Sequence, residues 1–181
     1  VVLWNLQTGE QVASQQAHEN FIRQISFNAE MGWLLLASSD GSFTLWDADT
    51  LEAVRSFSHG AGARGAVFSN TGRRIVSVGD DRVARIWDAF SGELLFTYAG
   101  HEGSIWMASF APDGSAFVTA AADGQARLWR PDVREDDVAV TLKGHTGTVR
   151  TVAFSPNGRF VATASYTAED ATARIWDARS G

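Results

Sequence analysis

The chain has 181 residues, 45% hydrophobic and 20% charged, with 15 basic against 21 acidic side chains and a net charge of −6. This is the make-up of an ordinary folded domain, and its acidic balance argues against binding nucleic acid or anionic lipid through overall charge. With no cysteine there is no disulfide framework, no thiolate nucleophile and no Cys-based zinc site. Apolar runs are only a few residues long and no signal-peptide pattern opens the chain, so no membrane association is expected. A first residue Val1 and a closing WDARSG are what a segment of a longer protein would show.

Residues 1–5, VVLWN, read as a strand, and its ending returns as FTLWD, ARIWD, ARLWR and ARIWD. The tryptophans are Trp4, Trp46, Trp87, Trp129 and Trp176, at intervals of 42, 41, 42 and 47 residues, so a repeat decides the architecture before any single motif does. Four repeats follow the leading strand, over 6–47, 48–88, 89–130 and 131–177, and His18, His59, His101 and His145 keep the same beat. An aspartate follows the histidine by 22 residues in the first three repeats and by 25 in the last; the tryptophan always comes 6 residues later.

Each repeat reads as four short strands. After the histidine come a partly alternating segment such as TVRTVAF, a turn cluster such as SPNG, and a second strand such as FVATA. A tight turn, the strand ending in tryptophan and a looser turn near TGE or SGE complete the unit, and no stretch sustains a helical period. In the first strand the apolar residues stand four, seven and nine positions after the histidine: Ile22, Ile25 and Phe27, or Val149, Val152 and Phe154. The step of three breaks the alternation and predicts a β-bulge, at which Arg23, Arg64, Trp106 and Arg150 stand.

The recurring Gly100-His101 and Gly144-His145 pairs, the turn aspartates, and Trp-Asp at 46–47, 87–88 and 176–177 together resemble the WD-repeat family of β-propellers. The resemblance covers the whole chain, with departures at Asn5, Arg130 and the residues before His18 and His59. It implies an all-β propeller of four-stranded antiparallel blades, here four repeats and one leading strand, in an arc expected to belong to a larger ring. The alternative, a closed four-bladed ring, would pair residues 11–14 with 172–176.

The resemblance also implies buried tetrads: His59, Ser77, Asp81 and Trp87; His101, Thr119, Asp123 and Trp129; His145, Thr163, Asp170 and Trp176. A fourth, His18, Asp40 and Trp46, is incomplete because Leu36 stands at the hydroxyl position. Hydroxyl, histidine and aspartate also suit acyl transfer, but a catalytic set is needed once and these recur in every repeat, as hydrogen-bonding partners for buried groups would. One histidine per blade likewise cannot converge on a metal ion.

Residues 60–65, GAGARG, match the Gly-x-Gly-x-x-Gly of dinucleotide sites, which requires a following helix. Here the segment leaves His59 and enters an expected strand, so no cofactor is predicted. Two segments break the repeat, RPDVREDDVAV from Arg130 and SYTAEDA from Ser165, and surface insertions of this kind often carry contacts.

The family resemblance implies a non-catalytic, cytoplasmic scaffold that binds proteins or peptides; the alternative is the sensor or substrate-binding part of a larger enzyme or signalling protein. The remaining blades, or a second copy of the chain, are further expected partners. The bulge residues Arg23, Arg64, Trp106 and Arg150 form a partial ring suited to carboxylates or phosphates, with Trp106 as an aromatic anchor. Competing with that reading, Asp80 and Glu169, each just before a turn aspartate, would simply neutralise the arginines.

Overall fold

A computed structural model describes residues 1–131 and 138–181; the insertion residues Arg134–Asp137 lie outside the described residues. Every regular element described is a strand. β1 (Val2–Trp4) pairs only with β2 (Gln11–Ser14). Three four-stranded antiparallel sheets follow: β3 (Ile22–Asn28) to β6 (Ala53–Ser58), β7 (Ala63–Phe68) to β10 (Leu94–Tyr98), and β11 (Ile105–Phe110) to β14 (Val138–Leu142). The last sheet has three strands, β15 (Val149–Phe154), β16 (Phe160–Ser165) and β17 (Ala173–Asp177). β2 is bonded to β1 and β17 to β16, so the closed four-bladed ring does not form and the blades make a partial propeller.

The sheets are out of step with the repeats by one strand. β6 opens the repeat of His59 yet hydrogen-bonds to β5 (Ser42–Asp47), and β10 and β14 are likewise the outer strands of the preceding blades. Each blade is thereby laced to its successor.

Apolar side chains lie between blades, not around one centre. Leu35, Phe43, Leu45 and Phe57 meet Ala66, Phe68, Ile75 and Trp87 across the first junction, where the Phe43 and Phe57 rings stack at 4.5 Å and both present to Trp87 edge-on. Val76, Val78 and Ile86 meet Ile105, Ala108 and Phe117 at the second; Val118, Ala120 and Leu128 meet Val149, Val152 and Val161 at the third. Stability is therefore a sum over neighbours, as in other stacked repeats. At the ends, Ile25 and Phe27 on β3 are each 59% exposed and Ile175 on β17 is 76% exposed, although the equivalent Ala66, Phe68 and Ile86 are buried against a neighbouring blade.

The inner strands are anchored by hydrogen bonds that converge on one hydroxyl. Thr119 Oγ1 accepts from Trp129 Nε1 at 2.8 Å and lies 2.7 Å from His101 Nε2, whose Nδ1 is 2.8 Å from Asp123. Thr163 stands in the same relation to Trp176, His145 and Asp170, with contacts of 2.7–2.8 Å. Ser77 accepts from Trp87 Nε1 at 2.8 Å, with the ring of His59 reversed so that Nδ1 faces Ser77 and Nε2 faces Asp81.

The network of the first blade is complete, contrary to the reading of Leu36 as a gap. Thr44 on β5, paired across the sheet with Leu36, accepts from Trp46 Nε1 at 2.7 Å and lies 2.8 Å from His18 Nε2. In the other blades that cross-strand position holds Arg85, Arg127 and Arg174. The hydroxyl has changed strands.

The glycines before two of the histidines have a backbone reason, φ of +143° at Gly100 and +159° at Gly144, and the arginine ends lie close above them. A Cβ on Gly100 would stand 2.9 Å from an Arg127 guanidinium nitrogen, and one on Gly144 2.7 Å from Arg174. Ala17 and Ser58, before His18 and His59, do not have a positive φ. In the first of these blades Thr44 stands in place of the arginine, and in the second Arg85 turns to Asp81, donating from Nη1 at 2.5 Å.

Burial pushes His59 below its ordinary value; Asp81 and, more weakly, Asp80 pull it upward, Arg85 pushes it down, and the fall prevails. For Asp40, burial acts upward but is outweighed by hydrogen bonds from Ser42, His18 and Ser38, leaving it at about 2. Asp81 and Asp123 are also lowered: burial opposes the shift, and bonds to Arg85 and His101 respectively prevail.

Three outcomes follow from these contacts. Trp87→Ala should destabilise the protein by about 3–5 kcal/mol and Thr44→Val by about 1–3 kcal/mol, read by thermal or denaturant unfolding; wild-type stability in either would refute the network. A depressed histidine stabilises the fold when neutral, so stability should be full above pH ~6.5 and decline as pH falls toward the folded value, with a second decline from the aspartates below pH ~4. His59→Gln should flatten the first decline in a melting-temperature series, and an unchanged slope would contradict the assignment. Because both end faces are apolar and bare, the 181-residue polypeptide should self-associate on concentration. Light scattering that gives one monomer mass at all dilutions would contradict this.

Candidate functional site

The first hydrogen-bonded pairs of the inner strands skip one residue in every blade. The register passes from Ile22 to Gln24, Ala63 to Gly65, Ile105 to Met107 and Val149 to Thr151. The extra residues are Arg23, Arg64, Trp106 and Arg150. A bulge re-aims the side chain it carries, and here all four line one cavity of about 270 Å³ with Gln24, Met107 and Thr151. The cavity lies along the innermost strands of four successive blades, on the side that would face the channel of a complete ring, and it gathers three guanidiniums in a chain whose net charge is −6.

Trp106 does not present a free face. Arg64 lies 4.0 Å from its ring centroid and Arg150 3.8 Å, one from each neighbouring blade. They reach it from β7 and β15, the strands that flank β11 on either side, so the indole lies between them. The expected aromatic anchor is instead a partition that holds two cations in place through cation–π attraction.

What meets each bulge residue depends on the position before the turn aspartate, occupied by Ser39, Asp80, Ala122 and Glu169. Arg23 Nε donates to Ser39 Oγ at 2.5 Å, and Arg64 Nε to Asp80 Oδ1 at 2.7 Å. Asp80 thus neutralises Arg64 as the competing reading expected. Glu169 does not do the same for Arg150. The last hairpin is longer, and Tyr166 comes within 5.7 Å of the Arg150 guanidinium, which has no carboxylate partner among the described residues.

The glycines of 60–65 have local reasons. A Cβ on Gly62 would stand 2.7 Å from the Asp80 carboxylate, and one on Gly65 would collide with the Gln24 carboxamide. Gly62 therefore gives Asp80 room to reach Arg64, and Gly65 gives Gln24 its place beside the cavity. The segment runs into strand β7, with no helix to hold a pyrophosphate.

Two features of the arrangement escaped the sequence reading. Thr44 had a signal, a hydroxyl two residues before Trp46 where the other repeats carry arginine. Gln24 had none, since its place depends on what the next blade leaves open.

The profile of the WD domain, G-beta repeat family matches residues 9–47, 51–88, 92–130 and 137–177. An uncharacterized WD repeat-containing protein of Synechocystis sp. is 34% identical over 67% of this chain and 35% of its own length. The nuclear distribution protein PAC1 of Arthroderma benhamiae is 29% identical over 78% of the chain and 33% of its own length. WD repeat-containing protein 3 of Homo sapiens is 29% identical over 66% of the chain, a span that is 12% of the human protein. The chain thus spans about a third or less of the relatives it matches. Four matched repeats, and the blades they form, place the chain in the WD domain, G-beta repeat family.

Proposed function

We propose that the chain is a non-catalytic scaffold that docks protein partners at this cavity, and that Arg23, Arg64 and Arg150 favour acidic or phosphorylated segments. The observation that carries this reading is the convergence of all four bulge residues on one cavity. A bulge is a local irregularity, and its repetition at one place in successive blades yields a ring of side chains that no single strand could present. Arginine suits the role because its planar fork matches carboxylate and phosphate oxygens.

A catalytic use of the histidines is disfavoured by their surroundings. Ser77 Oγ is engaged by Trp87 and His59, both side chains in the interior, and His59 is 1% exposed. A nucleophile needs an approach for the substrate, and this fully buried hydroxyl has none.

The test is an array of acidic, phosphoserine-bearing and neutral peptides probed with wild type and with a triple variant, R23A/R64A/R150A. The variant should retain its fold in circular dichroism, because Arg23 and Arg150 are exposed and Arg64 is only half-buried, while losing the anionic peptides. Wild-type capture should weaken sharply between about 0.1 and 1 M salt, as the screening length falls from about 10 to 3 Å. Equal capture by the triple variant would move the docking face elsewhere.

A further inference from the structure

The three arginines that line the cavity are not equivalent, and the difference follows from one position in each blade. Arg64 is ion-paired with Asp80 at 2.7 Å. Arg23 meets only neutral groups among the described residues, the Ser39 hydroxyl and the Phe21 ring, whose centroid is 5.6 Å from its guanidinium. Arg150 packs on Trp106 at 3.8 Å with the Tyr166 ring 5.7 Å away, and the acid that would correspond to Asp80, Glu169, is carried by the longer hairpin without pairing to it.

We infer that an anionic side chain of a docked peptide is held by Arg150 and Arg23, while Asp80 closes Arg64 to it. This rests on the docking reading above and assigns its charge recognition. Packing of Arg150 on Trp106 leaves the guanidinium edge to donate its N–H groups to a carboxylate or phosphate and restrains the side chain before the ligand arrives. Preorganisation of this kind lowers the ordering cost that a long side chain otherwise imposes on binding. Arg64 has the same ring beside it, but an incoming anion must first displace the Asp80 carboxylate. Asp80 is therefore an internal competitor, and Gly62 is the residue that lets it reach its place.

A peptide suits this cavity better than a nucleic acid strand does. Single strands bind by stacking bases on aromatic faces, and the Trp106 indole lies between two arginines. A polyanion would also meet the field of a chain with net charge −6.

Fluorescence anisotropy on the full protein tests the assignment with a labelled peptide carrying one phosphoserine, its glutamate and serine counterparts, and an oligothymidine. Arg150→Ala and Arg23→Ala should each weaken the phosphoserine peptide by about tenfold, the scale of one hydrogen bond to a charged group. Arg64→Ala should change it by less than about twofold, and Asp80→Asn should tighten it by freeing a third cation. The glutamate peptide should follow the same order and the serine peptide should not bind. If Arg64→Ala costs as much as Arg150→Ala while the triple variant still abolishes binding, the division of roles falls and the docking face stands. If the triple variant binds the phosphoserine peptide like wild type, the docking reading itself falls. Oligothymidine binding as tight as that of the peptide, with the same dependence on Arg150, would overturn the choice of a peptide.

Discussion

In each blade, one buried hydroxyl oxygen receives the indole N–H of the third strand and faces the imidazole that precedes the first, while that imidazole also meets the turn aspartate. Each of these groups would be costly to bury alone. Joined, they tie the start of the inner strand to the two strands beside it. The position of the inner strand follows from this contact, and so does the place where its register skips a residue. The bulge residues that line the cavity stand five positions after each anchored histidine.

The first blade shows that the constraint is on the oxygen, not on the residue that supplies it. Leu36 and Thr44 face each other across strands, and with the pair inverted relative to Ser77 and Arg85 the tryptophan and histidine still find a hydroxyl. The accompanying changes are consistent with that exchange. Where an arginine lies over the residue before the histidine, that residue is glycine; where the arginine is absent or turned away, it is Ala17 or Ser58. A motif that looks irregular in one dimension is regular once cross-strand neighbours are included.

Much of the fold was legible because a period of about 42 residues can be seen without any alignment, and the three-residue step after Ile22 or Val149 marks a bulge by arithmetic. The open arc was anticipated from the family resemblance, which implies a larger ring; that residues 11–14 pair with residues 2–4 emerged only in the structure. Thr44 was missed because the spacing rule runs along one strand, and the hydroxyl had moved to the next. The fate of the arginines was legible only in part. Asp80 and Glu169 occupy corresponding places in the sequence, but three additional residues in a hairpin decide which of them meets its arginine, and hairpin geometry is not written in residue type. Trp106 was read as exposed to a partner because its two arginine neighbours come from other blades, each about 40 residues away.

The most direct test of the account transfers the arrangement of the first blade to the second. Ser77→Leu alone removes the oxygen and leaves Trp87 and His59 without their partner; Arg85→Thr alone removes a cation from Asp81. In the double variant S77L/R85T the threonine stands where Thr44 does. A double-mutant cycle from denaturant unfolding should show a favourable coupling of about 1–3 kcal/mol, with the double variant more stable than S77L. Additive losses, or a double variant less stable than S77L, would contradict the claim that the blade requires a hydroxyl oxygen between its histidine and tryptophan and is indifferent to the strand that provides it.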